Sequence, residues 1–235
     1  RAVTSVWIAS DWHLGPESPP GHGRLAGAFL ARARAAGARV ILNGDVFDDL
    51  FWGAARAAAA HPGVAAEVAA LAREGRLERT SGNHDPQAGP LRLELSAPGL
   101  GRVLVTHGHA VDPLNASPLG RLGDRISRRF GRLALVRGAA ALAEASARAL
   151  AGPGIESLFR RRCLELLERE GFDLGVFGHV HAAHLVPGDR YANSGALLGS
   201  ALGWLELGAN GPRLGTLREN DLGPDDPAPG APVSG

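Results

Sequence analysis

Five short clusters of His, Asp and Asn recur in a fixed order along the chain. They read Asp11-Trp12-His13, Gly44-Asp45-Val46-Phe47-Asp48-Asp49, Gly82-Asn83-His84-Asp85, His107-Gly108-His109 and Gly178-His179-Val180-His181. Six of the nine histidines lie inside them, so imidazole is concentrated where carboxylate and amide oxygens are also at hand. Such a mixed N/O donor set, with almost no thiol, suits Mn, Fe, Zn or Mg rather than an iron–sulfur cluster or a closed zinc finger. The donors are too many for one ion and about right for two. Two divalent ions side by side can clamp a phosphate and stabilise charge in an in-line displacement.

Each cluster follows an apolar, strand-like run. That places it at the carboxyl end of a strand, where α/β sheets build their sites. Residues 3–9 and 39–42 read as buried strands, and 77–80, 91–95, 103–106 and 174–177 as further ones. Leu25, Phe29 and Leu30 carry helical spacing within 25–36, and 54–73 reads as helix broken at His61-Pro62-Gly63. From 190 to 218 the pattern is strands joined by Gly/Asn turns. Strand–helix–strand alternation followed by more strands predicts a layered α/β (α+β) sandwich.

The stretch 113–171 breaks the alternation, with helical pattern and no strand-like run. Leu119, Leu122, Ile126, Phe130 and Leu133 fall on one helical face, and Arg121, Arg125, Arg128, Arg129 and Arg132 populate the rest. The segment reads as a helical insertion in a single domain over 1–220. Residues 221–235, rich in Pro, Gly and Asp, read as a disordered tail.

Composition narrows the classes. The 235 residues carry a net charge of +1, which favours neither nucleic acid nor an acidic partner. Every basic residue is Arg; alongside abundant Ala and Gly this reflects coding bias, so the total Arg count says nothing of phosphate. The single cysteine, Cys163, excludes an intrachain disulfide and fits a reducing compartment. It sits on an apolar stripe and reads as a core residue. His22, His61 and His184, outside the clusters, read as solvent-exposed. No apolar run is long enough to span a bilayer, and residues 1–10 read as a strand entering a ligand motif rather than a leader. The expected location is cytoplasmic, with peripheral contact to the inner membrane through 113–171.

Taken together, the clusters resemble the signature of the calcineurin-like metallophosphoesterases: D-x-H, G-D-x-x-D, G-N-H-[DE], H and G-H-x-H. The resemblance covers roughly the first 200 residues and implies a four-layer fold. It implies one metal held by Asp11, His13, Asp45 and His181, and a second held by Asp45, Asn83, His107 and His179, with Asp45 bridging. The cofactor implied is two divalent ions, manganese foremost, with Fe, Zn, Co or Mg as others. His84 would face the phosphate and stabilise charge or protonate the leaving oxygen. Asp85 would orient the His84 ring, and Asp48 would hold a ligand histidine. His109 and Asp49 receive no role.

Within that superfamily the chain is similar to the UDP-2,3-diacylglucosamine pyrophosphohydrolases. The similarity rests on Ser10 to Gly15, Gly44 to Asp48, Arg190 to Gly195 and the insertion before Gly178. It implies hydrolysis to UMP and an acylated sugar phosphate, with the insertion as an acyl-chain lid and Arg121, Arg125, Arg128 and Arg129 meeting phosphates or acidic headgroups. Two positions depart from that branch: His84 stands where its best-known members carry Arg, and His109 where they carry Asp. A general phosphodiesterase or nuclease is the alternative. Nucleic acid is disfavoured, because only 121–132 offers a basic groove and aromatics for stacking are few. A non-catalytic interaction module would have lost ligands, and none is missing.

Overall fold

The computed structural model describes residues 5–97, 99–113, 115, 125–127, 129–130, 133 and 157–223. Strand β1 (Ser5–Ala9) leads through helix α1 (Pro20–Ala35) to β2 (Arg39–Asn43). Helices α2 (Asp49–Trp52), α3 (Ala54–Ala60) and α4 (Pro62–Arg73) then lead to β3 (Leu77–Thr80). Strands β4 (Arg92–Ala97) and β5 (Gly101–Thr106) precede the insertion, whose described final helix, α5, covers 157–170. The chain ends with β6 (Leu174–Phe177), β7 (Tyr191–Asn193), β8 (Leu197–Leu198), β9 (Ala201–Gly208) and β10 (Gly211–Arg218).

Two sheets result. One has the order β10-β9-β1-β2-β3, with β8 alongside β9; the other runs β4-β5-β6-β7. Strands β1, β2 and β3 are mutually parallel, and so are β5, β6 and β7. All five clusters follow strands in these two parallel sets, so they emerge at strand carboxyl ends. Helix-connected parallel strands must be covered on both faces, and period-two alternation shows how. Ile8 and Ile41 point into an apolar layer between the sheets, where they meet Val103, Val105, Val176 and Leu205. Their neighbours Ala9, Val40 and Leu42 face the other way, onto Leu25, Phe29 and Leu71 of α1 and α4. Across the molecule, Leu104 faces Phe159, Cys163 and Leu167 of α5. The order is therefore helix, sheet, sheet, helix.

Proline fixes two helix starts: Pro20 and Pro62 occupy first-turn positions, where a missing N–H removes no hydrogen bond. The expected break at 61–63 is the junction of α3 and α4. Cys163 is a buried core residue, as expected. Three expectations shift. Helix α1 begins five residues earlier than its apolar spacing suggests. His22 is buried, with Nε2 3.0 Å from the Gly199 carbonyl. His61 and His184 are only part-exposed, each ring bonded within the protein. Most of 113–156, and the tail from 224, lie outside the described residues.

Ile41 sits at the centre of the inter-sheet layer and is fully buried. Ile41→Ala should destabilise the protein by about 2–5 kcal/mol in denaturant unfolding. A loss below about 1 kcal/mol would contradict the placement of the inter-sheet core.

Candidate metal centre

The ligand candidates share a backbone peculiarity. Asp11, His13, Asp45, His179 and His181 have φ between 46° and 71°, and they are the only described non-glycine residues with positive φ. Asp and His tolerate this left-handed region better than most residues, but each instance still carries about 1 kcal/mol or more of strain. The neighbouring backbone holds them in place. Asp11 N–H donates to the Gly44 carbonyl (3.1 Å), His13 N–H to that of Asp45 (2.9 Å) and Leu14 N–H to that of Val46 (3.0 Å). The first two clusters are thus zipped together beyond the ends of β1 and β2.

Two donor groups form. Asp11, His13 and His181 each bring a ligand atom within 4.8 Å of one another, and so do Asp45, His107 and His179. Asp45 stands between the groups: Oδ2 is 3.1 Å from His107 Nε2 and 3.8 Å from His13 Nε2. Its other oxygen accepts the His84 backbone N–H at 2.8 Å. Asp11 Oδ1 is 3.1 Å from His181 Nε2. Asn83 follows β3 on the loop that grips Asp45, and its Oδ1 is buried.

Close packing explains two motif glycines. A Cβ on Gly82 would stand 2.0 Å from Asp45 Oδ1, and one on Gly44 would stand 2.7 Å from the His107 ring. Gly44 also has φ +80°, so it is needed for backbone reasons as well.

Charge is offset from within. Burial would raise the Asp11 pKa, but His107 and His181 beside it hold it at about 2. Asp45 is likewise driven well below the carboxylate range: the neighbouring His107 and His84 outweigh its burial. Burial would lower His107, but the Asp45 and Asp11 charges override it and raise it to about 10. Its Nδ1 lies 2.9 Å from the Asn43 carbonyl and donates there, so Nε2 is the atom that faces the carboxylates. That Nε2 is buried, 3.1 Å from Asp45 Oδ2. Burial and the His84 charge lower His13 to about 4, which leaves a neutral ring with a lone pair. Donor chemistry, a carboxylate set between two donor groups and an Nε2 turned to the carboxylates all fit divalent cations.

Two expected roles change. Asp85 does not orient His84. Both its oxygens are engaged elsewhere, accepting from the N–H groups of Asp45 (2.8 Å), Val46 (3.0 Å) and Gly82 (3.0 Å) and from Arg79 Nη2 (2.8 Å). It is a fully buried clamp between two ligand loops. Burial and then the Asp45 charge raise its pKa, while Arg79 and the backbone N–H groups pull it back. The ring of His84 is held instead by Asp48, whose Oδ1 is 2.9 Å from Nδ1. Asp48 was expected to hold a ligand histidine; its contact is with His84. His13, Asp48 and His84 form a third close group.

Several contributors gave no motif signal. Asn43 is buried and ties the sheets together, donating to the Thr106 carbonyl (3.0 Å) and accepting from Thr80 Oγ1 (2.8 Å). Ser10 donates to Asp11 and contacts Ser194 Oγ at 2.8 Å. Arg79 and Asp112 were also missed. A buried polar residue just ahead of a ligand candidate, Ser10 one residue before Asp11 and Asn43 two before Asp45, is the available clue. Trp12 and Trp52 are buried packing residues. His109 is half-buried with its Nδ1 unbonded, and burial followed by the His107 charge lowers it to about 4. Arg125 and Arg129 are exposed; Arg121 and Arg128 lie outside the described residues.

The family model for calcineurin-like phosphoesterases matches residues 4–183. The chain belongs to that family. Its match spans all five clusters. Among solved structures the chain is similar to a conserved uncharacterized protein of Streptococcus pneumoniae TIGR4, described as a predicted phosphoesterase. Identity is 15%, the TM-score is 0.47, and 96% of this chain and 95% of that one are covered. It is also similar to wild-type Vps29 of Entamoeba histolytica complexed with Zn²⁺ (15% identity, TM-score 0.44, 91% and 98% covered). Vacuolar Protein Sorting 29 of Cryptosporidium parvum gives 13% identity, TM-score 0.45, and 91% and 96% coverage. No curated protein matches the chain.

Asp85→Ala would strand Arg79 and three backbone N–H groups. It should cost about 3–5 kcal/mol in thermal or denaturant unfolding, whereas Asp48→Ala, which loses only the partly buried His84 contact, should cost less, about 1–2 kcal/mol. Equal losses would contradict the division of roles. A cation that takes His107 Nε2 must also displace a proton. With the pKa near 10, that proton is present at pH 7–8 and leaves on binding, so affinity should rise with pH up to about 10. Calorimetry in buffers of different ionisation enthalpy should show release of roughly one proton per centre; zero release would contradict this.

Proposed function

We propose that this protein is a dinuclear-metal-dependent phosphoesterase that hydrolyses a phosphodiester or pyrophosphate bond. The observation that carries the reading is the convergence of six donors, Asp11, His13 and His181 in one close group and Asp45, His107 and His179 in another, with Asp45 between them; Asn83, on the loop whose His84 N–H meets Asp45, is the proposed seventh. When bound, the cation pair supplies Lewis-acid activation of the phosphoryl group and of the attacking water.

The chain's own residues do the rest. Asp45, fixed by the His84 N–H, sets the spacing of the two donor groups. His84 Nδ1–H donates to Asp48, so its other ring nitrogen carries a proton only in the charged ring. An imidazolium there would stabilise phosphoryl charge or give a proton to the leaving oxygen. Asp48 keeps that ring in one orientation.

For the substrate, we infer a nucleotide-linked lipid, UDP-2,3-diacylglucosamine, cleaved to UMP and an acylated sugar phosphate. Support comes from the insertion. Within it Ile126, Phe130 and Leu133 are each about half exposed, with exposed Arg125 and Arg129 beside them. Apolar side chains suit acyl chains, and guanidinium groups suit phosphates. The same face fits peripheral contact with an anionic membrane in the cytoplasm; among the described residues no helix is long and apolar enough to cross a membrane. The Asp48–His84 pair favours a second reading, a general phosphodiesterase on smaller nucleotide esters, because it departs from the lipid-hydrolysing branch at His84.

The test is UMP release from UDP-2,3-diacylglucosamine by the purified protein with Mn²⁺, beside a bis-aryl phosphate. Both should be hydrolysed. Asp45→Asn should abolish both activities, and His84→Gln should lower kcat about 10²–10⁴-fold with metal content retained. Aryl ester hydrolysis without UMP release would leave the general phosphodiesterase. Inactivity on both would contradict the enzyme reading.

A further inference from the structure

His179 is fixed at two points. Its backbone N–H donates to both oxygens of Asp11 (3.1 and 3.0 Å). Its ring Nε2 lies 2.7 Å from Oδ2 of Asp112. Asp112 belongs to none of the five clusters, and it is buried. It lies on the loop leaving β5, five residues beyond His107, whereas His179 follows β6. Asn115 Nδ2 donates to the same Asp112 oxygen at 2.9 Å and stands 3.0 Å from His179 Nε2.

An ionised carboxylate can only accept, so the proton in the Asp112–His179 contact sits on Nε2. In the neutral ring the lone pair is then on Nδ1. We propose that Asp112 is the positioning residue of His179: it fixes the Nε2–H tautomer and the ring orientation, and leaves Nδ1 to hold a cation. Carboxylates behind metal-bound histidines act this way, and their loss typically weakens metal binding 10–100-fold. Asn115 steadies the carboxylate.

The consequence reaches the insertion. Asn115 lies at its start, and Phe159, on its final helix, packs 5.8 Å from the His179 ring. Both ends of 113–171 therefore touch one metal ligand, so the placement of the insertion bears directly on the second donor group. The inference rests on the metal-centre reading above.

The experiment compares the whole protein with its Asp112→Ala and Asp112→Asn variants. Mn²⁺ binding is followed by calorimetry, and the His179 tautomer by long-range ¹H–¹⁵N spectra of the metal-free protein. The wild type should bind two equivalents and show Nε2–H at His179. Asp112→Ala should weaken one equivalent 10–100-fold, leave the other, and mix the tautomers. Asp112→Asn, which keeps an accepting oxygen without the charge, should lose less. Unchanged binding of both equivalents, or an unchanged tautomer in Asp112→Ala, would overturn the proposal. If Asp112→Ala does not fold, the near-isosteric Asp112→Asn decides by the same two readouts. A wild type that takes up no Mn²⁺ would instead overturn the metal-centre reading, and this proposal with it.

Discussion

Two carboxylates taken out of water govern this molecule. Asp11 is wholly buried and Asp45 nearly so, and neither has a lysine or arginine within ion-pair distance among the described residues. An uncompensated buried charge is prohibitively costly, so the surroundings must answer it. They do so with backbone N–H groups from the opposing loops and with histidines from four of the five clusters. His179 N–H meets Asp11, and His84 N–H meets Asp45. A structure arranged to stabilise negative charge at the ends of two parallel strand sets is also one arranged to receive cations.

The same demand accounts for the local strain. Five donors sit in the left-handed region, which an isolated chain would avoid. Their backbones are held by the zipped loops beyond β1 and β2, by the Asp85 clamp and by the polar tie of Asn43 across the sheets. The apolar layer of Ile8, Ile41, Val105 and Val176 forms the packed floor beneath them. Strain concentrated at a site and offset by surrounding structure is the pattern expected where chemistry, not stability, selects the geometry.

The sequence made much of this legible, and the physical reasons are specific. Strands β2 and β6 are readable because buried parallel strands are short apolar runs ending in a turn. The donors were readable because His, Asp and Asn follow those strands directly. The start of α1 was not, since Pro20, Gly21, His22 and Gly23 carry no apolar periodicity; the helix begins there because Pro20 presets the first turn. The roles of Asp48 and Asp85 differ from expectation for a similar reason. Each lies near a motif histidine in sequence, but hydrogen bonds depend on where loops cross. Asp85 is turned inward by three backbone N–H groups, and Asp48 reaches His84 across 36 residues. Asp112 lies between two clusters and gave no spacing signal at all.

The central claim is that two cations sit side by side over these carboxylates. Crystals soaked in Mn²⁺ and measured at the manganese absorption edge test it directly. The account predicts two anomalous peaks flanking Asp45: one bounded by Asp11, His13 and His181, the other by Asn83, His107 and His179. A single peak, or peaks away from Asp45, would contradict it.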